Sequence, residues 1–160
     1  MAIKVGEKIP SMELSFKGAD GIQQIKTDDI FKGKTVVLFS VPGAFTPTCS
    51  AKHLPGFVQK ADEIKGKGVD AIACVSVNDV FVMNAWGKDQ NTGDKVMMLA
   101  DGNGAFAKAL GLEMDGTKFG MGIRGQRFSL IAVNGVVKTL NVEEPGAFAV
   151  SSAEHVLTQL

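Results

Sequence analysis

An α/β fold, with a central mixed β-sheet flanked by α-helices, is the architecture this sequence predicts, and three observations carry the prediction. Two runs, "TVVLFSV" (Thr35–Val41) and "VDAIACVSV" (Val69–Val77), are apolar almost throughout instead of alternating, as strands covered on both faces are. Segments with helical spacing separate the strand-like runs, giving the order βαβαβα. Asn134-Gly135, between "RFSLIAV" and "VVKTLNV", is a two-residue hairpin signal, so the parallel part of the sheet is expected to continue into an antiparallel pair, followed by a last helix.

Taken in chain order, the first 34 residues offer one feature, a small hairpin around "KGADGIQ". Strands are then expected at Thr35–Val41, Val69–Val77, Val96–Asp101, Arg127–Val133 and Val136–Val142. After Cys49 the apolar residues Leu54, Phe57, Val58, Ala61 and Ile64 follow helical spacing and stop before "KGKG". Shorter helices are expected over Asp79–Lys88, Asn103–Leu110 and Ser151–Gln159. No low-complexity stretch, linker or internal repeat interrupts this order, so residues 1–160 read as one domain.

A chain of 160 residues can bury about 70% of its unfolded surface and needs no disulfide to fold. Apolar residues make up 45% and charged residues 21%, and 17 basic residues balance 17 acidic ones, so no nucleic-acid or polyanion partner is expected. The start, "MAIKVGEKIP", carries Lys4, Glu7 and Lys8 where a signal peptide would be apolar, and no stretch approaches ~18 unbroken apolar residues. A soluble, cytoplasmic protein without a membrane partner is the expectation. The two cysteines, Cys49 and Cys74, are too few for a secreted disulfide framework, and with the two distant histidines, His53 and His155, they lack the spacing of a zinc site. Each cysteine is therefore a reactive thiol or an inert core residue.

The stretch "SVPGAFTPTCS" (Ser40–Ser50) bears on that choice for Cys49. Pro47 suits the first position of a helix, where its missing N–H costs nothing, and Thr46 before it is a preferred N-cap. Cys49 then occupies the third helical position, among backbone N–H groups without intrahelical acceptors and in the positive end of the helix dipole, which favours a thiolate. Thr46 can cap a backbone N–H with its oxygen while its proton stays free for sulfur or a bound oxygen, and Pro42 and Phe45 can wall the site from water. Capping chemistry by itself leaves a buried, inert Cys49 open.

Pro42-Gly-Ala-Phe-Thr46-Pro-Thr-Cys49 resembles the active-site pattern of the peroxiredoxins, and "VPGAFTPTCSAKHLPGF" resembles their type II (type 5) branch. The likeness continues through "SVNDVFVMNAW", "MMLADGNGAFAKALG" and "RGQRFSLIAVNGVVKTLNVEEPG", from about Val5 to the end. It implies a thioredoxin-like fold and reduction of hydrogen peroxide and organic hydroperoxides to water or alcohols by a peroxidatic cysteine, here Cys49. It further implies that Pro42 shields the pocket, that Thr46 hydrogen-bonds the peroxide, and that Arg127, standing before Phe128-Ser129, is the catalytic arginine, with Arg124 as a nearby competitor. By residue type alone Arg127 would read as a surface cation, since charged side chains are seldom buried unless paired. A homodimer with interface loops near the site is also implied, as is the absence of any metal or bound cofactor.

Low thiol pKa alone does not make a peroxidase. A reference thiol is roughly 3% ionised at pH 7, so full ionisation gains at most about 30-fold, and lowering a thiol's pKa to about 6 sacrifices about tenfold in nucleophilicity. Further acceleration requires alignment with the O–O bond and donors for the departing oxygen, for which Arg127, Thr46 and the Cys49 N–H are the candidates. The product is a sulfenic acid on Cys49, which a thiol must recycle. Cys74, in the middle of an expected central strand, is either a resolving cysteine, as at the matching position of some type II members, or an inert core residue. The animal branch's resolving cysteine corresponds to the "VSS" region here, where Ser151 and Ser152 cannot form a disulfide. An external reductant, glutaredoxin with glutathione or thioredoxin, is favoured.

Other signals carry less. "GMGIRG" (120–125) satisfies GxGxxG but precedes a strand, and reads as a flexible loop ahead of Arg127. His53, one turn after Cys49, reads as a polar helix residue or as support for the site in preference to a base. Pro55 should kink its helix and orphan a carbonyl near Ala51. Trp86 reads as core or as part of a dimer contact. Two rivals to a peroxidase remain: a thioredoxin-fold binding protein or chaperone, and a thiol-disulfide oxidoreductase, the latter disfavoured by the lack of Cys-x-x-Cys.

Overall fold

The computed structural model describes residues 1–160. A hairpin opens the chain, β1 (Glu13–Gly18) and β2 (Gly21–Lys26), where "KGADGIQ" predicted one. A short helix follows that the sequence pattern did not reveal, α1 (Thr27–Phe31); five residues are too few to establish a helical period. Then come β3 (Thr35–Ser40), a π turn over Cys49–His53 running into α2 (Leu54–Gly66), β4 (Ala71–Ser76), α3 (Val80–Asp89), β5 (Met97–Ala100) and α4 (Ala105–Leu110). After β6 (Glu113–Asp115) and β7 (Ile123–Gly125), the chain ends in β8 (Phe128–Val133), β9 (Val136–Val142) and α5 (Ala153–Thr158).

Seven strands form one sheet in the order β2-β1-β5-β4-β3-β8-β9, with β3, β4 and β5 parallel and the outer pairings antiparallel. This is the mixed sheet expected from the two-sided apolar runs and the hairpin signal. Asn134 and Gly135 both have positive φ, 50° and 77°, as a tight hairpin matched to strand twist requires.

β3 shows why its run does not alternate. Val37 and Phe39 enter the core under α2, α3 and α5, with Phe57, Ile64, Trp86 and Val156; Val36 and Leu38 enter the opposite core with Phe31, Phe106 and Leu110. A period of two operates on two apolar faces. Leu54, Phe57, Ala61 and Ile64 of α2 are fully buried, and at about 1.5–3 kcal/mol for each large side chain that packing holds the helix on the sheet. Two helix starts, those of α3 and α5, are capped by side chains: Asp79 accepts from Val82 N at 2.8 Å and Ser152 from His155 N at 3.1 Å.

"GMGIRG" is not the flexible loop expected. Ile123–Gly125 pairs antiparallel with Glu113–Asp115 in a separate two-stranded sheet, and strands of three residues leave no readable alternation. No helix is long and apolar enough to cross a membrane.

Candidate active site

The site forms where β3 ends. Antiparallel pairing of β3 with β8 sets Ser40 opposite Phe128, so the residue before β8, Arg127, comes level with the chain leaving β3. That chain bends at Pro42. Asn78 Oδ1, itself accepting from Ser76 Oγ at 2.6 Å, accepts from Ala44 N at 2.9 Å and ties the bend to the end of β4. Arg124 ties it to the loop before β7, donating to Met121 O at 2.7 Å and to Pro42 O at 3.4 Å. Arg124, the nearby alternative for the catalytic role, is bound to backbone carbonyls of the bend and of its own loop.

Phe45 adopts a left-handed conformation, φ 63°, and leaves its side chain 53% exposed, 6.4 Å from the Trp86 ring. The expected wall from Phe45 is therefore not formed, whereas Pro42 is half-buried beside the bend. Thr46 keeps the backbone role of an N-cap, its carbonyl accepting from Ser50 N at 2.9 Å. Its side chain does not cap: Oγ1 donates to Gly43 O at 2.7 Å. The hydroxyl proton is spent, and what the oxygen offers the site is lone pairs.

Helical winding begins at Pro47, and Cys49 stands third, fully buried, with its N–H among those a helix start leaves without an intrahelical acceptor. Pro55 does not simply kink this helix. It sits at the second position of α2, and the preceding Cys49–His53 segment is wound as a π turn in which Leu54 N donates to Cys49 O. Lacking an N–H for the ordinary pattern, the chain takes one wider turn. Trp86, fully buried, donates from Nε1 to Ser50 Oγ at 3.0 Å and secures that turn from α3.

Arg127 donates from Nη2 to Cys49 Sγ at 3.1 Å and from Nη1 to His53 Nδ1 at 2.9 Å. On the far side of the ring, His53 Nε2 lies 2.9 Å from Ser151 O. A carbonyl can only accept, so Nε2 carries the proton and Nδ1 is the acceptor Arg127 needs. Burial, then the Arg127 charge, depress the His53 pKa from 6.5 to about 3, outweighing the opposing influence of the Ser151 carbonyl and Glu143. A neutral imidazole is thus fixed in one tautomer. Phe148 meets its edge with ring centroids 5.0 Å apart and lies 5.9 Å from the Arg127 guanidinium carbon. His53 was read as a polar helix residue or as support for the site, and its bonds give it the second place; Ser151 and Phe148 gave no sequence signal in that role.

Cys74 pairs with Phe39 across β3 and β4 and is fully buried in the core that also contains Cys49. Burial first, and then the neighbouring Cys49 sulfur, push its pKa well above 9, against the opposing effect of Arg127. Both cysteines are free thiols. No group of three or more His, Cys, Asp or Glu side chains gathers in a way that would hold a metal ion.

Chemically, the constellation is a buried sulfur at a helix start, a guanidinium fork with one arm on that sulfur, and a locked neutral histidine on the other arm. The sequence profile of the Redoxin family matches residues 4–157. Peroxiredoxin-2E, chloroplastic, of Arabidopsis thaliana is 50% identical over 99% of this chain and 70% of its own length. Peroxiredoxin-2C of Oryza sativa subsp. japonica is 50% identical over 99% of this chain and 98% of its own. Among solved structures, reduced Prx3 from Vibrio vulnificus in complex with hydrogen peroxide is 54% identical and superposes with a TM-score of 0.95, covering 98% of each chain.

Proposed function

The chain belongs to the Redoxin family as a peroxiredoxin of the type II branch, and from that premise we propose how its residues divide the work of a thiol-dependent peroxidase. Cys49 is the nucleophile. Its thiolate attacks the terminal oxygen of R–O–O–H; the S–O bond forms as the O–O bond breaks, and RO⁻ leaves and takes a proton from solvent to become water or an alcohol. The sulfur, oxidised by two electrons, retains the peroxide's OH as sulfenic acid.

The carrying observation is the Arg127 Nη2 to Cys49 Sγ contact of 3.1 Å. A guanidinium there holds the sulfur in place, and its remaining donors meet charge developing on the departing oxygen, together with the Cys49 N–H. Thr46 Oγ1, its proton given to Gly43, accepts from the peroxide O–H and orients it. Pro42 shields the sulfur.

An external thiol condenses with the sulfenic acid, releasing water and leaving a mixed disulfide that a second thiol reduces. Glutaredoxin with glutathione, or thioredoxin, is the proposed donor. Burial of Cys74 in a central strand, which keeps its sulfur a thiol instead of an attacking thiolate, supports this route over a Cys49–Cys74 disulfide. No bound metal or organic cofactor is required. We further propose one domain over residues 1–160, working in the cytoplasm, where two free cysteines suit a reducing compartment. A homodimer is supported by the exposed Phe45, Phe81 and Phe119.

Mass spectrometry after one equivalent of hydrogen peroxide tests this scheme. Sulfenic acid on Cys49, converted to a glutathione adduct when glutathione is present, is the expected result; a Cys49–Cys74 disulfide would overturn the external route, and unmodified Cys49 would overturn the peroxidatic role.

A further inference from the structure

Glu143, one residue past β9, is nearly buried and makes no ion pair. Instead its Oε2 accepts four hydrogen bonds from one loop: Ala149 N at 2.8 Å, Val150 N at 2.9 Å, Ser151 N at 2.8 Å and Ser151 Oγ at 2.7 Å. Burial works to raise its pKa, but these donors together outweigh it, and the carboxyl is held below its ordinary 4.5. The loop is wrapped round a carboxylate as a nest of N–H groups is round an anion.

The wrapping has a direction. Ser151 is pinned through both its N–H and its hydroxyl, and the next residue, Ser152, is fixed as the cap of α5. The Ser151 carbonyl between them has little freedom, and it is the acceptor for His53 Nε2–H. That bond decides which His53 nitrogen keeps its lone pair, the lone pair holds Arg127 Nη1, and because a guanidinium is a rigid fork, holding Nη1 aims Nη2 at Cys49. A second tie runs through the backbone, Glu143 N donating to Arg127 O at 3.0 Å. The same loop supplies Phe148, which packs on both His53 and Arg127.

We propose that Glu143 is a positioning residue for peroxide reduction, acting through the Ser151 carbonyl and the His53 tautomer on the aim of Arg127 at Cys49. It touches neither substrate nor sulfur. The proposal rests on the assignment of Cys49 and Arg127 as the reacting thiol and its donor.

A double-mutant cycle on the second-order rate of hydrogen peroxide reduction by the reduced full chain is the test, with nitrogen NMR of the His53 ring. Glu143→Ala is expected to lower the rate about tenfold or more, since small misplacements of aligned groups are costly; Glu143→Gln, which keeps an acceptor oxygen for the loop, restores most of it. In a His53→Ala background, Glu143→Ala should change the rate less than about twofold, because the connection is already cut. The wild-type ring should show the Nε2–H tautomer alone. A wild-type Nδ1–H tautomer overturns the proposal whether or not the variants fold, and so does a folded Glu143→Ala variant with wild-type rate or one whose effect multiplies fully with that of His53→Ala. Wild-type protein that failed to reduce peroxide would instead overturn the assignment of Cys49 and Arg127.

Discussion

Arg127 serves as a donor whose two arms are separately employed, and a point charge could not replace it. Removing the fork takes away the contact to sulfur and, with it, the proposed donor for the leaving oxygen, so Arg127→Ala is expected to lower the second-order rate with hydrogen peroxide by about 10²–10³. Arg127→Lys should rescue little, because an ammonium cannot hold Cys49 and His53 at once with the same geometry; stopped-flow measurement on both variants checks this. His53 makes a prediction of a different kind. Its folded pKa of about 3 lies below the ordinary 6.5, so between those values the unfolded chain binds a proton that the folded one refuses. Stability contributed by the neutral ring is therefore complete above about pH 6.5 and falls as pH drops towards 3, by up to about 1.4 kcal/mol per pH unit. Glu143, depressed below 4.5, adds a loss of the same sign at lower pH, as acid reaches its folded pKa. Urea unfolding at pH 7.5 and 5 should show the loss, and His53→Gln should flatten it over that interval.

The π turn between Thr48 and Leu54 is the element on which the site depends most closely. It displaces His53 from the place an ordinary α turn would give it, and Pro55, which has no N–H to donate, stands two residues beyond it. Pro55→Ala restores that donor and lets the segment rewind. The expected outcome is a melting temperature equal to or above wild type with a peroxide rate lowered about tenfold, since Cys49 and His53 would turn away from Arg127. Helix start, cap position and the proline were legible in "TPTCSAKHLP". The type of turn was not, because a proline two residues into a helix is compatible with a kink, a break or a wider turn, and only the packing of Trp86 on Ser50 and of His53 on Arg127 selects among them. Thr46 shows the same limit in miniature: residue type made it a cap, while the carbonyl of Gly43, a partner contributed by the bend, redirected its proton.

Across the whole molecule, two apolar cores on opposite faces of one sheet fix the pairing of β3 with β8, and that pairing brings residues distant in sequence to one sulfur. The strands that build it were readable because long two-sided apolar runs and an Asn-Gly turn have few alternatives. The short pieces, α1, β6 and β7, were not, and neither was the Glu143 to Ser151 loop, whose order comes from four backbone and hydroxyl donors converging on one carboxylate and leaves no periodic trace. Arg127 could be named beforehand only through resemblance; by its own residue type it looked like a surface cation, and its half-buried position is intelligible only once the thiol and the histidine lie on either arm. On the mechanism proposed above, this assembled geometry, beyond mere ionisation, makes Cys49 a peroxidase. Stopped-flow oxidation of the reduced protein by hydrogen peroxide, set against free cysteine at the same fraction of thiolate, tests it most directly: a rate at least about a hundredfold above the free thiolate, absent in Cys49→Ser, is predicted, and a rate equal to that of free thiolate would contradict it.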